Sequence, residues 1–166
     1  KEIEMELFNA CQDGNVEEVK ALLQDSQIDI NWGNETDFWT SFHIACQNGH
    51  SEIVELLLND QRIIDINQAD KYGGKAPFYI ACSFGWTEIV KLLLSDQRVD
   101  INKVDNCGES AFNIACKKKQ IEIVKLLLND QRVDVNKADK YRGETPFYVA
   151  CCKGYIEIVE HMLAHE

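Results

Sequence analysis

Along Lys75 to Asn102, KAPFYIACSFGWTEIVKLLLSDQRVDIN, apolar and polar positions follow one another in a fixed order. Pro77 to Ser83 reads as a short helix, because proline is tolerated at a first helical position and Gly85 can take the left-handed backbone that ends it. From Thr87 to Ser95, Ile89, Val90, Leu92, Leu93 and Leu94 crowd one broad face while Glu88 and Lys91 point away. This is an amphipathic helix too short to be stable alone, so it needs neighbours. The following stretch, SDQRVDINKVDNCG, holds the Asp, Asn and Gly of turns, where the chain reverses.

The same order recurs five times. Ala10-Cys11, Ala45-Cys46, Ala81-Cys82, Ala115-Cys116 and Ala150-Cys151 hold one phase, separated by 35, 36, 34 and 35 residues. Self-similarity at that period marks a stacked solenoid. TSFHIACQNGHSEIVELLL (Thr40 to Leu58) and ETPFYVACCKGYIEIVEHML (Glu144 to Leu163) resemble the ankyrin repeat, whose pattern TPLHxAxxxGxxxIVxLLL followed by a DVN loop is matched over almost the whole chain. The resemblance implies an all-α solenoid of stacked antiparallel helix pairs, gently curved, with turn or hairpin loops projecting to one side. It also implies a role in binding other proteins. One domain is expected over residues 1–166, in units of about 1–31, 32–67, 68–102, 103–136 and 137–166.

The longest apolar runs are a few residues, far short of the roughly 20 that a membrane helix requires, and KEIEMELFNAC has no apolar signal core. An intracellular protein is expected, cytoplasmic or nuclear. A first residue that is Lys1, and a last helix that runs up to Glu166, fit a piece of something longer. Five of the seven cysteines, Cys11, Cys46, Cys82, Cys116 and Cys151, should be free thiols in small buried slots, since neighbouring helices lie too far apart for a disulfide. Cys107 and Cys152 are the two expected to meet solvent. Asn34-Glu35-Thr36 matches a glycosylation acceptor but reads as a turn.

Departures from the repeat carry information. Glu18 stands where Ile53, Ile89, Ile123 and Ile158 stand later, as suits a polar cap. The second unit carries Trp32, Phe38 and Trp39 in its turn, and Trp39 is either a contact residue or packed on its own repeat. Ala76 replaces the hydroxyl cap of Thr40, Ser110 and Thr145. Lys119 replaces the glycine of Gly14, Gly49, Gly85 and Gly154, so a left-handed lysine and a basic tip of Lys117, Lys118 and Lys119 are expected. His161 takes the place of Leu56, Leu92 and Leu126, and His43 should be hydrogen-bonded within the stack. Arg62, Arg98 and Arg132 form one row of the loops and Asp65, Asp100 and Asp134 another, suggesting exposed ion pairs between units. Asn31, Asn67, Asn102 and Asn136 end the loops, where an amide can bond neighbouring backbone. Loops one or two residues longer than the family's leave the register of the tips open.

The net charge of −11 argues against nucleic acid and anionic membrane. The average hides a split. In ankyrin-like proteins the partner meets the turn tips and the exposed side of the first helices, and that set here holds seven cations and only three acids. The candidate protein-binding residues are Trp39, Lys71, Tyr72, Lys75, Phe84, Lys117, Lys118, Lys140, Tyr141, Arg142 and Lys153. Aromatics among Arg and Lys describe a protein interface. The expected partner is an acidic protein segment with apolar anchors, met by a monomeric chain. Lysines kept on mobile tips for solubility are the plainer alternative.

No serine or cysteine stands with a histidine in a catalytic order, and no paired carboxylates, phosphate-cradling glycines or metal-ligand spacings occur. The chemical residues present recur at repeated positions explained by packing, whereas a catalytic site is unique. No enzyme, cofactor or metal is therefore expected. A structural or regulatory segment of a longer protein is the alternative to a binding scaffold.

Overall fold

The computed structural model describes residues 1–63 and 65–165. Its ten helices among these residues form five antiparallel pairs: α1 (Glu2–Asp13) with α2 (Val16–Leu23), α3 (Ser41–Asn48) with α4 (Ser51–Asn59), α5 (Pro77–Phe84) with α6 (Thr87–Ser95), α7 (Ala111–Lys117) with α8 (Ile121–Leu128), and α9 (Pro146–Cys152) with α10 (Ile156–Leu163). The all-α solenoid expected from the sequence is the fold that forms. α5 runs one residue past the expected Ser83, and α6 has the expected bounds.

Odd-numbered helices make one row and even-numbered helices a second, each packing on its counterparts in the adjoining units. The odd row packs more extensively, so the stack closes on that side. The Ala-Cys phase explains why: Ala45, Cys46, Ala81, Cys82, Ala115 and Cys116 are all buried where these helices meet, and small side chains let backbones approach. The even row supplies the wider apolar face, with Ile53, Ile89, Ile123 and Ile158 buried in one line and Leu57, Leu93 and Leu127 in another.

Caps follow the sequence. Thr40 and His43 form a reciprocal capping box on α3, as Ser110 and Asn113 do on α7, and Thr145 caps α9. Ala76 provides no side-chain cap, and α5 begins instead with Pro77, whose missing N–H needs none. Asn15 caps α2 and also donates to Glu18, which accounts for the acid at that position. His161 is half-exposed, with its Nε2 3.9 Å from Glu157.

Two expectations need correction. Cys151 is exposed, unlike Cys11, Cys46, Cys82 and Cys116, because each of those is covered by the next odd-row helix while α9 has no such neighbour among the described residues. The arginine row does not pair with Asp65, Asp100 and Asp134. Arg62, Arg98 and Arg132 each form a 2.6 Å ion pair two residues back, with Asp60, Asp96 and Asp130 of their own loop. The guanidinium hydrogen bonds hold those three carboxyls below the usual carboxylate range. What runs between units is a donor to a carbonyl: Arg62, Arg98 and Arg132 reach the oxygens of Leu23, Leu58 and Leu94 at 2.8, 2.8 and 2.7 Å. These lie at the C-terminal ends of α2, α4 and α6, where carbonyls lack helical partners and the dipole is negative. Asp65, Asp100 and Asp134 instead accept from the backbone N–H of Asn67, Asn102 and Asn136.

Three of the four asparagines of the row behave as expected. Asn31, Asn67 and Asn102 donate from Nδ2 to the carbonyls of Arg62, Arg98 and Arg132 in the next loop, at 2.8, 2.8 and 2.7 Å.

Candidate protein-binding face

The projecting tips are built by one device. Asn34, Asp70, Asp105 and Asp139 each turn their side-chain oxygen onto backbone N–H groups two to four residues ahead: Asp37, Gly73 and Gly74, Cys107 and Glu109, and Tyr141 and Arg142. Such turns pre-form the loop. Those donors hold the Asp139 carboxyl below its ordinary range, and at Asn34 they make the glycosylation-like triplet a turn. The longer loops do not lose register. Backbone N–H groups of Lys71, Asn106 and Lys140 donate at 2.9 Å to the carbonyls of Asp37, Gly73 and Cys107 in the preceding tip.

The eleven candidate residues fall into separate places. Trp39 is half-buried, its ring 5.8 Å from that of His43, so it packs on its own repeat. Lys71 is exposed with Nζ above both Phe38 and Tyr72, at 5.2 and 5.5 Å, and Tyr72 stands open to solvent. Lys75 lies 6.0 Å over the Tyr79 ring, and Phe84 is exposed at the end of α5. Lys118 and Lys140 are exposed and belong to no cluster that the described contacts define. Lys117, Tyr141, Arg142 and Lys153 come together around one cleft of about 550 Å³ between the last two units.

The basic tip is therefore divided. Lys117 turns inward to Glu109, 2.5 Å away, and this carboxylate holds its ammonium pKa up. The other oxygen of Glu109 accepts from the Tyr79 hydroxyl at 2.8 Å, and burial with that acid raises the phenol's pKa well beyond its usual value. Lys119 has the left-handed backbone expected of it, φ 58°, and its Nζ lies 5.4 Å from the Tyr155 ring. Lys153 approaches the same ring at 5.9 Å, and Arg142 is 3.7 Å from Glu144.

Sequence reasoning left two residues out of the candidate set. Phe38 is 47% exposed with φ 62°, in the phase where the other tips have Gly74, Gly108 and Gly143. A bulky side chain there is a backbone outlier, and the broken glycine phase was the available signal. Tyr148 lines the cleft and is exposed. Its signal was the shared phase with Tyr79, but only packing distinguishes the two. Phe147, Ile156 and Leu163 are also exposed, at the outer end of the last pair.

The family described as ankyrin repeats (3 copies) matches residues 7–105, 61–139 and 78–166. The chain belongs to the ankyrin repeat family. Ankyrin repeats generally mediate protein–protein interaction, and among the described residues no group of His, Cys, Asp and Glu could hold a metal ion. No helix among them is long and apolar enough to cross a membrane. This ankyrin array is similar to the tyrosine-protein kinase HTK16 of Hydra vulgaris, 41% identical over 69 residues, which are 39% of this chain and 9% of the kinase. It is also similar to the scaffold protein ILK of Homo sapiens and of Mus musculus, 33% identical over 66 residues, 39% of this chain and 14% of each scaffold. The array thus corresponds to a minor part of these relatives' length.

Proposed function

We propose that this chain is a single five-unit, non-catalytic scaffold that binds an acidic protein segment with apolar anchors, as a monomer, through its tips and the exposed side of its odd-row helices. The observation that carries this reading is the cleft between the last two units, where Tyr141, 73% exposed, stands with Arg142 and Lys153. Exposed aromatics beside cations dominate many interfaces. The acids of this cleft are already engaged: Glu109 by Tyr79 and Lys117, Asp139 by backbone N–H groups, Glu144 by Arg142. Unpaired thiols suit a reducing intracellular compartment, cytoplasm or nucleus.

The test is selection from an unbiased displayed-peptide library, followed by binding of the selected peptides to a variant carrying Tyr141→Ala, Arg142→Glu and Lys153→Glu, with folding checked by circular dichroism. Enrichment of Asp and Glu beside Leu or Phe, and loss of binding in the folded variant, support the reading. Selection without acidic preference, or equal binding by the variant, overturns it. The exposed Phe147, Ile156 and Leu163 favour a second reading, in which the array is a structural or regulatory segment of a longer protein.

A further inference from the structure

Tyr79 and Tyr148 occupy the same position of their units, three residues before Cys82 and Cys151, yet they are in opposite states. Tyr79 is 4% exposed, and its hydroxyl donates to a carboxylate that the tip of the next unit supplies, Glu109. Lys117 closes on the other oxygen of that carboxylate. The protein thus contains a finished example of a carboxylate held between a phenol and an ammonium at this position of the repeat. Tyr148 is 53% exposed on the wall of the cleft, which Cys152 also lines. An ionised carboxylate is a strong acceptor for a phenol hydroxyl. Arg142 and Lys153 line the same cleft, while Val149 and Tyr141 give it an apolar side.

Resting on the acidic-partner reading above, we propose that the Tyr148 hydroxyl is the subsite for one Asp or Glu carboxylate of the partner. Lys153 takes the part that Lys117 plays for Glu109, and an apolar residue next to that acid lies along Tyr141 and Val149. A charge-assisted O–H···O contact favours binding, and the partner's apolar anchor removes the water that would otherwise screen the pair. Glu144, the acid closest in kind to a competitor, is turned to Arg142.

The experiment measures fluorescence anisotropy of the acidic peptide selected above, and of counterparts with each Asp or Glu replaced in turn by its amide, against the chain and against Tyr148→Phe. The substitution removes one exposed oxygen, so the melting temperature should not change. The expected result is an affinity loss of about tenfold or more for the acidic peptide, which disappears when one particular acid is already an amide. Equal affinity, or the same loss with every amide counterpart, overturns the subsite and leaves the acidic-partner reading standing. Failure to select any acidic peptide overturns both. Self-association of the chain that Tyr148→Phe abolishes also overturns the subsite, by making a second copy its occupant.

Discussion

The indole Nε1–H of Trp86 donates to the carbonyl of Gln47 in the preceding unit at 2.7 Å, and its ring lies so close to Gly49 that a Cβ there would meet it at 2.8 Å. His50 stands likewise over Gly14 and Gln120 over Gly85, each bonded to a carbonyl one unit back. Gly14, Gly49 and Gly85 therefore serve twice, for a left-handed backbone and for the side chain that lands on each. Gly154, at φ 66°, has nothing within 4 Å. Gly154→Ala should then cost about 1 kcal/mol, the backbone cost alone, and Gly49→Ala clearly more. Denaturation midpoints of the two variants check this, and equal losses would refute the double role.

His43 sets a pH dependence. Burial lowers its pKa to about 4, and the Thr40 N–H donates to its Nδ1 at 3.2 Å, so protonation there would set donor against donor. In the unfolded chain the imidazole takes a proton near pH 6.5, and in the folded chain only near 4. The unfolded state thus binds more protons in that window, and the stability present above pH 6.5 is lost as pH falls towards 4, by roughly 3 kcal/mol. Asn113 performs the same cap in the fourth unit without titrating. His43→Asn should remove most of this slope, measured by urea denaturation at a series of pH values. An unchanged slope would assign it to other groups.

Thiol chemistry separates the seven cysteines. Cys107, Cys151 and Cys152 are exposed, whereas burial pushes Cys11 and Cys116 up to about 12 and Cys46 and Cys82 higher still. Because the thiolate is the nucleophile, a disulfide reagent should modify three thiols quickly in the native protein and the other four only on unfolding. Rapid loss of Cys46 or Cys82, located by mass spectrometry, would contradict the packing.

Phe38 and Phe42 should respond in opposite ways. Phe42 is buried in the first turn of α3, and its truncation to Ala should cost about 3–5 kcal/mol. Phe38 is held in the left-handed region, at a cost of about 1–2 kcal/mol, and its contact with Lys71 returns about 0.5–1. Phe38→Gly should leave stability unchanged or raise it by up to about 1 kcal/mol. Calorimetry decides, and a loss as large as that of Phe42→Ala would show that Phe38 is a packing residue.

The fold was legible because the helix pairs repeat one apolar pattern, and stacking is the way such short helices bury it. Individual repeat positions were legible where chemistry is local: the proline start of α5, the left-handed Lys119, the hydroxyl cap of Thr40. The loop arginines were misread because their true acceptors are backbone carbonyls of another unit, which carry no sequence signal, while the aspartate two residues back looked like one of many acids. The candidate face was legible only as a set. Its eleven residues share phases that point outward, but phase does not say that Lys117 turns in to Glu109 or that Trp39 lies on His43.

Periodicity, small residues at the odd-row contacts and the positions of glycine and proline fixed by themselves the all-α stack and its unit length, because these are properties of short stretches repeated in order. Tertiary structure alone decided the state of each repeated position. Tyr79 and Tyr148 are the same residue in the same phase, and so are Cys116 and Cys151. In each pair one member is closed over by the next unit and the other is open, since burial depends on what packs against a surface and not on the surface itself.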